Sequence, residues 1–204
     1  MEETNSNARI EAFSDGVFAI ALTLLILDVK LPATAFIHSS SDFWLALRDI
    51  APSIFAFVLS FTIILISWVN HHNSFKLVNR SSASSIYANG FLLLTVVFMP
   101  FPTALLGQYL LTDYAAPAVV LYNAVIAMQS IGWILLGRAA IKNNLAKNEK
   151  VLPTVRQNTT YGYYAFILYT TLAIFAFWFP FAIAVITTLT WIFWLIIGIR
   201  TKYE

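Results

Sequence analysis

No charged side chain lies between Arg156 and Arg200, where residues 157–199 read QNTTYGYYAFILYTTLAIFAFWFPFAIAVITTLTWIFWLIIGI. As one α-helix this segment would be about 64 Å long at 1.5 Å per residue. That is twice the roughly 30 Å hydrocarbon core of a bilayer. Because proline cannot continue a helical hydrogen-bond ladder, Phe179-Pro180 is the natural break. The segment therefore predicts two membrane-spanning helices joined by a tight turn.

The composition of the whole chain agrees with a membrane protein. Hydrophobic residues make up 59% of the sequence and charged residues 11%, whereas a soluble domain carries about 25% charge. The net charge of +2 is too small to favour nucleic acid as a partner. With no cysteine in the chain, a disulfide framework, a thiol nucleophile and a Cys-ligated metal are all excluded.

Charged residues divide the remaining sequence into four further apolar segments. The predicted fold is an all-α membrane protein with one domain, residues 1–204, and six transmembrane helices. The predicted spans are approximately 13–31, 50–69, 86–106, 114–137, 159–178 and 180–199.

The distribution of basic residues predicts the orientation of these spans. Six spans place both termini on one side of the membrane, and Lys and Arg concentrate in cytoplasmic loops. With cytoplasmic termini, the outer segments carry only Lys30 and Arg48. The cytoplasmic segments then carry Arg9, Lys76, Arg80, Arg138, Lys142, Lys147, Lys150, Arg156, Arg200 and Lys202.

Span 1 differs from the other five spans because acids bracket its apolar core. The uncharged run between Asp15 and Asp28 is about 18 Å of helix, which is short for a helix that faces lipid. A carboxylate at membrane depth usually faces the protein interior or a water-filled cavity. We therefore expect span 1 at the centre of the assembly, surrounded by the more apolar spans and, beyond them, by membrane lipid.

At 100° per residue, one face of span 1 is a stripe about 80° wide. The stripe consists of Phe13, Gly16, Ile20, Thr23 and Leu27, with Leu24 beside it, and Ser14 and Asp15 point away from it. Such a stripe is compatible with ordinary helix packing. It is also compatible with a pore wall, since apolar rings gate by dewetting and a hydroxyl ring offers a polar step to a dehydrating cation. A pore would require several copies of span 1 around a closed symmetry axis.

The start of span 1 carries a recognisable motif. Arg9-x-x-x-Phe13-Ser14-Asp15, followed by GVFAIALTLL at residues 16–25, resembles the signature of the lysosomal potassium channel family, the transmembrane protein 175 family. The chain has one copy of this motif, so it is similar to the prokaryotic members. The resemblance implies a six-span subunit, a homotetramer and a location in a prokaryotic cell membrane.

The resemblance also implies a function and assigns roles to residues of the stripe. It implies a channel permeable to potassium and other monovalent cations, without an enzymatic activity or a cofactor. Its central pore would be lined by helix 1 and would lack a carbonyl selectivity filter. By position in the motif, Ile20 would form the main constriction, Thr23 would contribute to selectivity, and Leu27, or Leu24, would form a further apolar ring of a hydrophobic gate.

The polar part of the motif is expected to be structural. The resemblance implies that Arg9, Phe13, Ser14 and Asp15 tie span 1 to neighbouring helices. Candidate partners at the same end of span 2 are Trp68, Asn70, His71 and His72. The alternative is that Trp68 and the histidines only form an interfacial belt. His71 and His72 are adjacent, so they point about 100° apart on a helix and do not predict a metal site.

Two other functions remain open from the sequence. One is a proton-permeable or proton-coupled pathway, with Asp15 and His71 or His72 as relay groups. The other is a secondary transporter. Such folds commonly have internal repeats and helices broken at mid-membrane, but the chain has no repeat of span 1 and no Gly/Pro break at the centre of span 1.

Overall fold

The described residues of the protein are helical apart from short connections. In the computed structural model, residues 7–30 and 37–200 are described, with side chains up to residue 196. The helices are α1 Ala8–Leu24, α2 Ser40–Asp49, α3 Ala51–Lys76, α4 Ala83–Phe98, α5 Pro100–Tyr109, α6 Ala115–Lys142, α7 Leu152–Phe175 and α8 Pro180–Arg200, and a 3-10 turn, Leu25–Asp28, extends α1. Within these ranges there is no β-strand, only an isolated bridge between Val78 and Ala146. The predicted all-α class is thus confirmed.

Four helical segments of the described chain are long and apolar enough to cross a membrane. They are Ala8–Asp28, Ala51–Lys76, Ala83–Tyr109 and Ala115–Lys142. The described apolar part of α8, Pro180–Ile196, is shorter. Helix α7 carries polar residues over its first turns, which keeps it out of this group.

The helices overrun the apolar segments that the sequence marks. Helices α3 and α6 continue to Lys76 and Lys142, well past the predicted limits at residues 69 and 137. Helix α7 starts at Leu152 rather than at residue 159. Hydropathy locates the part of a helix suited to lipid, whereas backbone hydrogen bonding continues into the polar ends. The predicted end of span 1 at residue 31 lies outside the described residues.

The structure has two local features that the predicted spans do not include. Helix α2 is short and has no buried residue, and its N-cap Ser39 accepts a hydrogen bond from the Asp42 backbone N–H at 3.1 Å. The predicted third span is divided at Met99 into α4 and α5, because Pro100 lacks an N–H to continue the ladder.

Helix α6 is the centre of the subunit, and α1 lies at its edge. Helix α6 packs on α4, α5, α7 and α8, whereas α1 packs on α3 and α4. In the most apolar 18-residue window of each segment, 56% of the residues are buried in α6 and 22% in Ala8–Asp28. The subunit core therefore holds α1 along one face only.

Candidate functional site on the first helix

Helix α1 and its 3-10 extension have one buried and one exposed face. The buried face consists of Ser14, Phe18, Ala21 and Leu25, all at most 1% exposed. Phe18 and Leu25 pack in the main hydrophobic cluster together with side chains of α3 and α6. These contacts fix the rotation of α1, and so they determine which residues face outward.

The predicted stripe lies on the exposed face. Phe13 is 65% exposed, Ile20 59%, Leu24 40% and Leu27 70%. Gly16 and Thr23 are also exposed. In the 3-10 turn, side chains three residues apart eclipse one another, which helps to align Leu27 with Leu24. An apolar helix face is thus left without a partner inside its own subunit.

Thr23 supplies the polar step in this face. Its hydroxyl donates a hydrogen bond to the Ile20 backbone carbonyl at 2.9 Å. Because that bond uses the only hydroxyl proton, the Thr23 oxygen has its remaining lone pairs available as an acceptor. Such an oxygen can coordinate a cation.

A buried hydrogen-bond chain fastens the opposite face of α1 to α4 and α3. The Asn89 amide nitrogen donates to Ser14 Oγ at 3.0 Å. His71 Nε2 donates to the Asn89 amide oxygen at 2.8 Å, which requires the tautomer with its proton on Nε2. All three side chains are at most 3% exposed, so the polar groups satisfy one another in an apolar interior.

Aromatic rings enclose His71 on several sides. Its ring stacks on Phe75 with centroids 4.5 Å apart and lies 5.4 Å from the ring of Phe18. Trp133 of α6 meets it edge-on at 6.4 Å. The imidazole is therefore a packed core element as well as a hydrogen-bond donor.

Asp15 has a different partner on the same two helices. Trp68 Nε1 donates to Asp15 Oδ1 at 2.9 Å, and the Trp68 ring stacks on His72 with centroids 6.1 Å apart. Asp15 and His72 are exposed. This pair therefore lies at the margin of the α1–α3 contact, whereas the Ser14–Asn89–His71 chain lies inside it.

Two motif residues, Arg9 and Phe13, and one candidate partner, Asn70, are not part of these contacts. In the described part of the chain, Arg9 and Phe13 make no side-chain hydrogen bond or ring contact, and both are exposed. Asn70 lines a cavity formed by α3, α6, α7 and α8 instead. The structure thus brings together Ser14 and His71, and Asp15, Trp68 and His72.

Asn89 is the residue that the sequence interpretation missed. It joins Ser14 to His71, and neither of them contacts the other directly through a hydrogen bond. The sequence could have indicated Asn89, because it places an amide inside the apolar run of span 3, and such a group needs a hydrogen-bond partner at membrane depth.

Apart from Asp15, the charged residues of α1 and its extension lie near the two ends. Arg9 and Glu11 lie near the start, Asp28 and Lys30 at the far end, and Asp15 is the one acid between them. Among the described residues, no group of three or more His, Asp or Glu side chains could hold a metal ion. The stripe from Phe13 to Leu27 is itself uncharged, and its side chains are apolar apart from the Thr23 hydroxyl.

The part of the chain that contains α1, α3 and α4 matches a known protein family. Residues 9–100 match the family described as Endosomal/lysosomal potassium channel TMEM175. The structure resembles that of a lysosomal potassium-selective channel TMEM175 homolog from Chamaesiphon minutus, with a TM-score of 0.84 and 34% identity over 94% of this chain and 97% of that chain. The chain belongs to the TMEM175 family. This is a family of ion channels, so the prediction of a non-enzymatic protein is confirmed.

Relatives within the TMEM175 family are named either as potassium channels or as proton channels. A potassium channel of Chamaesiphon minutus is 46% identical over 123 residues, 60% of this chain and 60% of that protein. The Endosomal/lysosomal proton channel TMEM175 of Danio rerio is 37% identical over 103 residues, 48% of this chain and 20% of that protein. The chain thus matches less than two thirds of the length of either relative.

Proposed function

We propose that this protein is a potassium-permeable cation channel in which copies of α1 surround a central pore. The observation that carries the proposal is the unpartnered apolar face of α1. Ile20 and Leu27 are 59% and 70% exposed, although the opposite face of the same helix is fully packed. A closed ring of subunits would give these side chains a common axis.

Six membrane-spanning helices per subunit and a homotetramer complete this proposal. The four apolar segments and the apolar part of α8 support the span count, and α7 would be the sixth span, packed against α6. The basic residues concentrated at one end of the spans support cytoplasmic termini in a prokaryotic cell membrane. Membrane lipid would cover the outward faces of the other helices.

Within the pore, Ile20 and Leu27 would form apolar constrictions, with Leu24 beside them. Apolar rings exclude water when narrow, so the barrier to a cation is dehydration. Thr23 lies between these rings, and its free lone pairs would replace part of the hydration shell. Selectivity for potassium over sodium would then be modest, because one hydroxyl per subunit coordinates more weakly than a cage of carbonyls.

The experiment that tests this function is planar-bilayer recording of the purified protein in potassium and sodium gradients. Ile20→Asn should raise the current about tenfold, as expected if a dewetting barrier falls by about 1.4 kcal/mol. The matched control is Ile192→Asn on α8, since Ile192 is 51% exposed and α8 is not one of the helices on which α1 packs. An unchanged current in Ile20→Asn, or an equal rise in both variants, would refute the assignment.

Proton permeation is the second candidate, favoured by the name of the vertebrate relative. His71 is 1% exposed and hydrogen-bonded on the packed side of α1. A relay through His71 would therefore run inside the subunit, apart from the proposed cation path. Reversal potentials measured in opposed potassium and pH gradients separate the two, because a potential that follows potassium alone excludes proton flux as the main current.

A further inference from the structure

An open groove of about 1180 Å³ lies where α4 packs on α6, at the end of the subunit where α4 begins and α6 ends. All of its lining residues belong to these helices or to the residues that cap them. The Asn143 amide nitrogen joins the two helices there by donating a hydrogen bond to Ser84 Oγ at 2.9 Å. The groove is therefore separate from the exposed stripe of α1 and from the proposed pore.

The two charged residues that line the groove, Arg138 and Lys142, are both basic and both exposed. They lie one turn apart on α6, so their side chains are neighbours on the same face of the helix. Neither forms an ion pair with an acid in the described part of the chain, where the one ion pair joins Arg48 to Asp49. Like charges at this spacing repel each other, so an anion bound between them would be favoured.

The groove changes from polar to apolar along its length. Ser84 and Lys142 lie at the polar end, and Phe91 and Leu135 line the other end. Each apolar residue is about 10 Å further along its helix than the polar one. Leu135 is 41% exposed, and the Phe91 side chain is half-buried. Because this direction leads into the apolar segment Ala83–Tyr109, the apolar end lies within the membrane and the basic end lies at its surface.

We propose that this groove binds an anionic phospholipid of the inner leaflet, with its phosphate between Arg138 and Lys142 and an acyl chain along the apolar end. Basic pockets between transmembrane helices on the cytoplasmic side suit anionic headgroups. Tyr87 lies between the two ends and is 80% exposed, and tyrosine favours the headgroup level of a membrane. The choice of leaflet rests on the proposed cytoplasmic termini, whereas the pairing of a phosphate with the two cations does not.

Charge and depth together favour a lipid over a free anion. The Arg138 guanidinium can hold two phosphate oxygens at once, and the Lys142 ammonium can approach the same phosphate as a point charge. A free phosphate would occupy the basic end alone. A phospholipid also places an acyl chain against the apolar end, so it matches the whole length of the groove.

Native mass spectrometry of the full-length protein in dodecyl maltoside tests the proposal, because it resolves each bound lipid by mass. Dioleoyl phosphatidylglycerol should bind more tightly than dioleoyl phosphatidylcholine, which has the same acyl chains and no net charge. Arg138→Gln should weaken phosphatidylglycerol binding about fivefold, and the double variant Arg138→Gln/Lys142→Gln about 30-fold, as expected from the attraction of each base to an anionic lipid. Binding of phosphatidylcholine should not change.

Two further variants separate the groove from the general basic charge of this end of the protein. Lys147→Gln/Lys150→Gln is the matched control, since it removes the same charge from exposed residues that do not line the groove. It should leave the affinity for phosphatidylglycerol unchanged. Lys142→Arg keeps the charge and should also keep the affinity, which keeps the test valid if the double glutamine variant in the groove does not fold.

Three results would overturn the proposal. Equal affinities for phosphatidylglycerol and phosphatidylcholine would mean that the groove does not select an anionic headgroup. An equal loss in the groove variant and in Lys147→Gln/Lys150→Gln would mean that the lipid responds to overall charge. Displacement of phosphatidylglycerol by an equal concentration of glycerol 3-phosphate would mean that the basic end takes a free phosphate and that the apolar end does not contribute.

Discussion

Helices α1 and α6 are similarly hydrophobic, but α6 lies at the centre of the subunit and α1 lies at its edge. Helix α6 packs on α4, α5, α7 and α8 and buries 56% of its most apolar window, whereas the corresponding window of α1 buries 22%. Glycines reflect this difference. A side chain at Gly132 of α6 would meet Leu92 of α4, whereas a side chain at Gly16 of α1 would meet nothing within 4 Å.

The apolar residues of these two helices therefore have different roles in the protein. In α6, apolar and small residues allow close packing within the chain. In α1, the packed face is held by Phe18, Leu25 and a polar network, and the apolar face remains available for other copies. Stability should therefore depend on α6 and on the network, and conduction on the exposed face of α1.

Gly132→Val should produce the greatest loss of stability among the variants considered. A Cβ atom at Gly132 would lie 2.9 Å from the Leu92 Cα atom, so the two helix backbones must separate. Overpacking of this kind costs about 3 kcal/mol. Thermal unfolding of the protein in detergent measures the effect. Gly90→Val is the matched control, because nothing lies within 4 Å of a Cβ at Gly90, and equal destabilisation of both variants would contradict the packing account.

Asn89→Leu should lower the free energy of unfolding by about 2 kcal/mol, because it leaves His71 and Ser14 buried without partners. Ser14→Ala removes only one of the two hydrogen bonds and should cost about 1 kcal/mol. Both variants should reduce the yield of assembled protein while the ratio of potassium to sodium permeability stays constant. A changed permeability ratio at normal stability would show that the network contributes to the ion path.

Thr23→Val should change selectivity rather than stability. The valine keeps the shape of the side chain and removes the oxygen whose lone pairs face the proposed pore. We expect the permeability ratio of potassium to sodium to fall about threefold, equivalent to less than 1 kcal/mol. Reversal potentials under bi-ionic conditions measure it. Thr62→Val is the control, since Thr62 also donates to its own helix backbone but lies on α3.

Gly16→Ala should have the smallest effect of these variants on stability, and it should raise stability rather than lower it. Alanine is favoured over glycine inside a helix by about 1 kcal/mol, and open space surrounds Gly16 within the subunit. The unfolding temperature should therefore stay constant or rise slightly. A clear decrease confined to the assembled protein would mean that another subunit approaches α1 at this glycine, which conflicts with an open pore on that face.

The sequence predicted the helical class from charge spacing, and helical periodicity grouped into one stripe the residues of α1 that the structure leaves exposed. It did not predict helix α2, which is short and amphipathic, or the extension of α3 and α6 beyond their apolar segments. At the site, the polar motif of α1 was expected to contact residues near the end of span 2, but Asn89 was not identified as the link between Ser14 and His71. That connection depends on the packing of α4 against α1, which a local pattern does not contain.

The central claim is that Ile20 faces an ion path between subunits, and single-cysteine accessibility tests it most directly. The natural chain has no cysteine, so Ile20→Cys introduces the only thiol. Silver ions are similar in size to potassium and should block the potassium current of Ile20→Cys irreversibly, whereas Ile192→Cys and the unmodified protein should continue to conduct. Continued conduction by silver-treated Ile20→Cys, with the thiol still free to react after unfolding, would contradict the account.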